Sequence, residues 1–238
     1  MDTATQRALL EHTRRFYDDH ADAFSRTREH PWPGWSRALA QPAPGARVLD
    51  VGCGNGRLAA TLTREAAGIA VTGVDSCPAL IDHARARRIP GADWIVADVL
   101  SDPDAALPPG PFDRVCAFGL LHHVPGLALR RALIAALARR VAPGGRLAVS
   151  FWRFAERARF AHRRLDWAAL PGIDPDCLEP GDHLLGWGSE GDARYCHASD
   201  DREVDALLAG LPLVRVDDFD ADGREGDLNH YVVLEAGA

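Results

Sequence analysis

The 238-residue sequence contains no lysine: all 27 basic residues are arginine. That bias reads as a mark of GC-rich coding more than of function. There is no apolar run of about 18 residues, so no membrane-spanning helix is expected. No apolar segment follows Met1-Asp2-Thr3-Ala4-Thr5-Gln6-Arg7, which argues against a secretory signal peptide. The five cysteines (Cys53, Cys77, Cys116, Cys177, Cys196) are scattered without a C-x-x-C pair. Free thiols in a cytoplasmic protein fit that spacing better than disulfides, and no metal-ligand set is assigned. Internal repeats and low-complexity tracts are also missing. What is present is a chain 47% apolar, of a length that suits one decorated α/β domain.

The net charge of −7 conceals an asymmetry. Residues 1–173 carry a net +6 and residues 174–227 a net −12. A nucleic-acid partner needs a local basic surface, not a basic total, so this distribution permits an RNA substrate without demonstrating one.

The chain is organised around Arg47-Val48-Leu49-Asp50-Val51-Gly52-Cys53-Gly54-Asn55-Gly56-Arg57-Leu58. Val48 to Val51 reads as a buried strand, the three glycines as a tight turn, and a helix starts near Leu58. Glycine tolerates positive φ and lets a ligand approach the backbone. Asp75 follows Asp50 by 25 positions, at the end of a second strand (Val71 to Val74), where an acid typically binds ribose hydroxyls. A dinucleotide site would carry G-x-G-x-x-G/A. Here the third glycine comes one position early and Asp50 precedes the turn. A carboxylate there repels a pyrophosphate and suits a cationic ligand.

Hydrophobic patterning predicts a helix over 3–29, broken by Pro31-Trp32-Pro33-Gly34-Trp35, and a short helix over 36–40. Strands and helices then alternate: strands at 47–51, 70–74, 94–97, 114–118 and 146–151, helices at 57–67, 78–88 and 128–141. That alternation argues a parallel sheet with helices on both faces. Beyond it we expect an arginine-rich helix over 152–170, acidic loops over 171–193, a helix over 201–209, and an antiparallel hairpin of strands 213–219 and 229–235.

With the landmarks L-D-V-G-C-G-N-G (49–56), G-V-D (73–75), A-D-V (97–99), F-D-R-V-C-A-F-G-L-L-H-H-V (112–124) and A-P-G-G-R-L-A-V (142–149), the chain resembles the class I S-adenosylmethionine (SAM) methyltransferases. The resemblance implies a Rossmann-like sheet of order 3-2-1-4-5-7-6, strand 7 antiparallel, with SAM across the carboxyl ends of strands 1, 2 and 4. It divides one domain, 1–238, into an N-terminal helical cap (1–45), a cofactor-binding core (46–151), a substrate-side insertion (152–212) and a terminal hairpin (213–238). Asp50, Gly52, Gly54, Asp75, Ser76, Asp98, Val99 and Leu120 would line the cofactor. Asp98 would accept from the adenine amine, although an aspartate at a strand end also suits a cap.

A narrower resemblance lies outside the core. Tyr17, Ala21, Phe24, Thr27, Arg28, Pro31, Trp32 and Pro33 are similar to the N-terminus of the tRNA methyltransferases that convert wobble 5-carboxymethyluridine to its methyl ester. The double histidine, Asp182 to Trp187, Arg194-Tyr195-x-His197 and an aromatic final strand (His230, Tyr231) add to it. Here R-Y-C-H stands for the family's R-Y-Y-H, and Leu185-Gly186-Trp187 for V-P-W. The resemblance implies tRNA as substrate, with a small zinc-binding activator protein as a partner in eukaryotic members. A small-molecule O-, N- or carboxyl-methyltransferase and a non-catalytic SAM-binding protein remain alternatives.

His122 and His123 would face methyl transfer, and Arg28 and Arg194 would hold a carboxylate or phosphate; plain structural histidines and surface arginines are the competing readings. Arg153, Arg157 and Arg164 fall within about 40° on a helical wheel, an RNA-backbone stripe or a solvated face. Trp32, Trp35, Trp152, Trp167 and Trp187 could stack on a base, with packing the default. A carboxylate nucleophile is ionised at neutral pH and needs orientation only; a hydroxyl or amine would want a histidine base.

Overall fold

The computed structural model describes residues 1–188 and 191–237. Helix α1 (Thr3–Arg26) starts at Asp2, whose side chain accepts from Thr5 N, and buries Leu9, Thr13 and Phe16 on one face. Helix α2 (Gly34–Leu39) follows the proline break. The core then alternates as expected: β1 (Arg47–Val51), α3 (Arg57–Glu65), β2 (Ala70–Asp75), α4 (Pro78–Ala86), β3 (Ala92–Val96), the short α5 (Pro103–Ala106), β4 (Phe112–Ala117), α6 (Leu127–Ala138) and β5 (Val141–Trp152). Strand β1 is buried from Val48 to Val51, as a strand covered on both faces must be.

Seven strands form one sheet of order β3-β2-β1-β4-β5-β10-β9, where β9 is Leu213–Ala221 and β10 is Asn229–Ala236. β10 runs antiparallel to both neighbours. This is the expected class I methyltransferase order. Its two faces carry separate cores, one centred on Leu49, Val115, Leu133 and Leu147, the other on Val48, Leu58, Val71 and Tyr231. β1 and β4 are adjacent while their connections run to opposite sides, so the crevice lies above their carboxyl ends. No helix among the described residues is long and apolar enough to cross a membrane.

The region after β5 departs from expectation. Residues 152–170 are not a helix. They contain only a four-residue helix, α7 (Ala158–Ala161), and a two-residue strand, β6 (Arg164–Leu165). Trp152, Phe154 and Phe160 pack with Leu185 and Cys196 into a small core of their own, and that spacing holds the chain extended rather than helical. The arginine stripe therefore does not exist. Arg153 pairs with Asp201, Arg157 with Asp227 (2.7 Å), and Arg164 donates to the Ala155 carbonyl. Nor is 171–193 all loop. β7 (Asp182–Trp187) pairs with β6 and with β8 (Asp192–His197) in a second, three-stranded antiparallel sheet. Helix α8 (Asp201–Leu208) follows, capped by Asp200.

A buried polar network ties the second sheet to α6 and α8. Asp182 Oδ1 accepts from Tyr195 Oη and His197 Nδ1, each at 2.7 Å, and His197 Nε2 donates to Glu203 Oε2 at 2.8 Å. Glu203 Oε1 and Glu179 Oε2 accept from Arg130, whose Nη1 reaches the Val124 carbonyl at 2.8 Å. Both ring nitrogens of His197 face carboxylates, so both must carry protons. Burial opposes that charge, but the bonds to Asp182 and Glu203 prevail and raise its pKa above 6.5. The charged groups facing it are Asp182, Glu179 and Glu203, with Arg130 opposing. A raised histidine pKa stabilises the fold fully below 6.5 and is lost as pH rises through the folded value. Thermal stability is expected to decline above pH 6.5, with a slope approaching about 1.4 kcal/mol per pH unit. In His197→Gln the part of that decline above about pH 7 should vanish, while the part that Asp50 contributes below it stays, which melting curves from pH 5.5 to 9 would check.

Candidate active site

Two adjoining cavities open above the carboxyl ends of β1 and β4. The first, about 150 Å³, is lined by Asp50, Gly52, Cys53, Gly54, Asp75, Ser76, Leu120 and His123, with Thr13, Tyr17 and Phe24 of α1 closing over it. The second, about 960 Å³, lies between α1, the 152–163 segment and the second sheet. Six residues line both: Tyr17, Phe24, Arg28, Trp32, Arg57 and Gly119. They mark the junction where groups held in the two cavities would meet.

The first cavity gathers most of the glycine-turn residues. Gly52 and Gly54 adopt φ of +74° and +53°, which the turn after β1 requires. Gly52 faces Leu120, whose Cβ would lie 3.2 Å from an added Cβ. Asp75 has a second task that the sequence did not disclose. Its Oδ2 accepts from Gly54 N (2.8 Å) and its Oδ1 from Cys77 N (2.9 Å), so it ties the turn to the start of α4. Asp50 is 3% exposed, and its Oδ2 has no partner among the described residues. Burial, with the Asp75 charge behind it, pushes its pKa up to about 7. A buried orphan acid at a glycine turn fits a cationic ligand group. Asp98 and Val99 stand apart from this wall. Asp98 accepts from Leu100 N (2.9 Å) and borders a separate hollow of about 370 Å³ under α1, and Val99 is packed in the core.

The two histidines differ. The Tyr195 carbonyl can only accept, so His123 Nδ1 carries the proton and donates to it at 2.9 Å. His123 Nε2 is therefore an acceptor, and Tyr17 Oη donates to it at 2.7 Å. Burial, reinforced by Arg194, lowers the His123 pKa to about 3. His122 faces the second cavity beside Trp152, and its Nδ1 has no partner. Burial, then His123 and the arginines, hold it well below 6.5. Both rings are neutral at physiological pH.

Arg28 and Arg194, 166 residues apart in sequence, meet at this site. Arg28 donates to Thr27 Oγ1 (3.0 Å) and lies over Phe24; burial and then Arg194 lower its pKa. Arg194 is 9% exposed, lies over the Trp152 ring at 5.2 Å, and leaves its Nε without a partner. Neither has a carboxylate partner among the described residues. Arg57 joins them, stacked against Trp32 and Trp35, with its pKa brought down to about 10 by burial and by Arg28. Arg57 directly follows the third glycine, but no local pattern in the sequence marks it for this site. Two like charges held together with little water around them would suit an anionic ligand. The second cavity is further lined by Arg26, Arg159, Arg163, Trp152, Phe160 and Trp187, and its one acid among the described residues, Asp222, is buried and taken up by Gly34 N, Asn229 and Tyr231.

A methyltransferase-domain family model matches residues 3–184, about three quarters of the chain. The chain belongs to this methyltransferase family. Its fold is that of the class I, SAM-dependent enzymes, and a SAM-dependent methyltransferase from Methanosarcina mazei superposes with a TM-score of 0.64 at 21% identity, covering 87% of this chain and 98% of that one. Among curated relatives, a tRNA (carboxymethyluridine(34)-5-O)-methyltransferase of Xenopus tropicalis is 33% identical over 142 residues, 60% of this chain and 21% of that protein. A ubiquinone biosynthesis O-methyltransferase of Xylella fastidiosa is 41% identical over 110 residues, 46% of this chain and 43% of that protein. The methyltransferase chain thus spans less than half the length of either relative.

Proposed function

We propose that this methyltransferase uses SAM to methylate a carboxylate, that of wobble 5-carboxymethyluridine in tRNA, giving the methyl ester. The pair Arg28–Arg194 carries this reading: two guanidinium groups brought together in the second cavity, Arg28 where it meets the first, with no acidic partner among the described residues. A carboxylate acceptor would complete them. In this reading Asp50, Gly52, Gly54, Asp75, Ser76 and Leu120 hold SAM in the first cavity; Asp98, on the separate hollow, and Val99, in the core, lie outside its lining. When bound, SAM supplies a methyl group already activated by its sulfonium. The chain's own residues orient the acceptor in line, and positioning supplies much of the rate. No base is needed, in keeping with the neutral, hydrogen-bonded His123.

The aromatic and basic lining of the second cavity supports a nucleotide over a bare metabolite. Trp152, Phe160 and Trp187 offer stacking faces, and Arg26, Arg159 and Arg163 at the rim are exposed and make no ion pair among the described residues. The deciding experiment incubates the protein with SAM and tRNA bearing 5-carboxymethyluridine and reads the nucleosides by mass spectrometry. Methyl ester formation is expected. Failure on that tRNA, with methylation of a quinol or another small hydroxyl compound, would overturn the reading in favour of the small-molecule alternative. A further expectation concerns salt. Replacing Arg26, Arg159 and Arg163 by glutamine should reduce the log–log salt slope of tRNA binding by about 2 units, at ~0.7 per lost single-strand phosphate contact. Replacing the acid-paired Arg153 and Arg157 should leave that slope unchanged, which filter binding across 50–300 mM salt (a range of about sixfold) would test.

A further inference from the structure

The six junction residues include a single neutral side-chain oxygen, that of Tyr17. Its state is fixed by a chain of hydrogen bonds that begins far from the cavities. Asp182 holds the Tyr195 hydroxyl, and the Tyr195 carbonyl fixes His123 as the Nδ1–H tautomer. His123 Nε2 in turn takes the Tyr17 hydroxyl proton. The proton of Tyr17 is thereby committed to His123, and the oxygen can offer only lone pairs to what lies at the junction. Arg28 and Arg194 bring positive charge to the same place. A lone-pair oxygen there repels a carboxylate and attracts positively polarised hydrogens. A sulfonium methyl group carries such hydrogens, and C–H···O contacts of this kind are weak but directional.

Resting on the SAM reading above, we propose that Tyr17 Oη is a catalytic residue that holds the methyl group under transfer by C–H···O contacts, with His123 as the positioning residue that keeps the hydroxyl proton out of the way. This gives His123 a role other than that of a base. It also explains why Arg194-Tyr195-x-His197 and Asp182 occur together. Arg194 faces the acceptor cavity, while Tyr195 and His197, one position out of phase on the same strand, face Asp182.

The test uses SAM labelled with ¹³C at the methyl group, bound to the full-length protein and observed by NMR, beside steady-state kinetics. In Tyr17→Phe the bound methyl proton resonance should move upfield relative to the native protein. Turnover should fall about tenfold, with both KM values within about twofold. His123→Gln, whose amide oxygen can still accept from Tyr17, should stay near native values. His123→Phe should match Tyr17→Phe and add nothing to it in the double variant. An unchanged methyl resonance in SAM-bound Tyr17→Phe would overturn the proposal and leave the SAM reading intact. So would a variant that raises only KM, or that loses SAM binding. Failure of the native protein itself to bind SAM would instead remove the functional reading on which the proposal rests.

Discussion

Arg194→Gln and Arg28→Gln are each expected to lower kcat/KM for the acceptor by about 10- to 150-fold, mostly through KM. The estimate follows from charge-assisted hydrogen bonds worth about 1.5–3 kcal/mol. The loss should be steep because the site is dry: Arg194 is 9% exposed, and an unpaired carboxylate placed there would keep neither water nor counter-ion. Arg28 lines both cavities and Arg194 only the second. Arg28→Gln should therefore also weaken SAM binding, whereas Arg194→Gln should leave it alone. The pH profile separates this from base catalysis. At saturating SAM, kcat/KM for a carboxylate acceptor should be flat from about pH 6 to 9, since the acceptor is already ionised and both histidines are already neutral. His122→Ala should lower the rate without changing that shape. A rising limb near pH 6.5 that disappears in His122→Ala, with the arginine variants unaffected, would replace the carboxylate reading by a hydroxyl or amine acceptor.

The division between what was readable in the sequence and what was not follows the range of the interactions. The seven-stranded sheet was readable because each of its strands announces itself locally, as an apolar run ended by a glycine turn or an acid. Asp50, Gly52 and Gly54 were readable for the same reason. Residues 152–197 were not. Their arginines mimic a helical stripe, but what decides their path is packing of Trp152, Phe154 and Phe160 against Leu185 and Cys196, and pairing of β6 with β7, neither visible in a local window. Gly188 and Gly191, both at positive φ, follow β7 and precede β8, a strand-pair signal hidden within an acidic stretch that reads as loop. The position of Asp75 in the sequence suggests a ribose ligand. Its hold on Gly54 and Cys77 needed coordinates. Arg28 and Arg194 could be paired from the sequence only through family resemblance. Their shared lack of acidic partners among the described residues, and the presence of Arg57 beside them, are facts of three dimensions.

SAM affinity is expected to depend on pH through Asp50. In the free enzyme, burial and the nearby Asp75 raise the Asp50 pKa to about 7, so half of the molecules carry a neutral acid there at pH 7. A cationic ligand group facing the orphaned Oδ2 favours the ionised form, and so pulls that pKa down. Below about pH 7 binding must then expel a proton, and affinity should fall toward tenfold per pH unit. Two signatures follow. Calorimetric binding enthalpies at pH 6 should vary with the ionisation enthalpy of the buffer, reporting release of nearly one proton, and at pH 8.5 they should not. The stability linkage has the opposite sign in the free enzyme. A carboxyl whose folded pKa is raised above 3.8 stabilises the fold when protonated, and that contribution is lost as pH rises through about 7. SAM should therefore raise the melting temperature more at pH 8 than at pH 6. Asp50→Asn keeps the shape and removes the charge. It should bind SAM at least tenfold more weakly at pH 8, by the loss of a charge-assisted contact, and with no pH dependence between 6 and 8.5. A native protein whose SAM affinity is constant across that range would show that Asp50 does not face the cationic part of the cofactor.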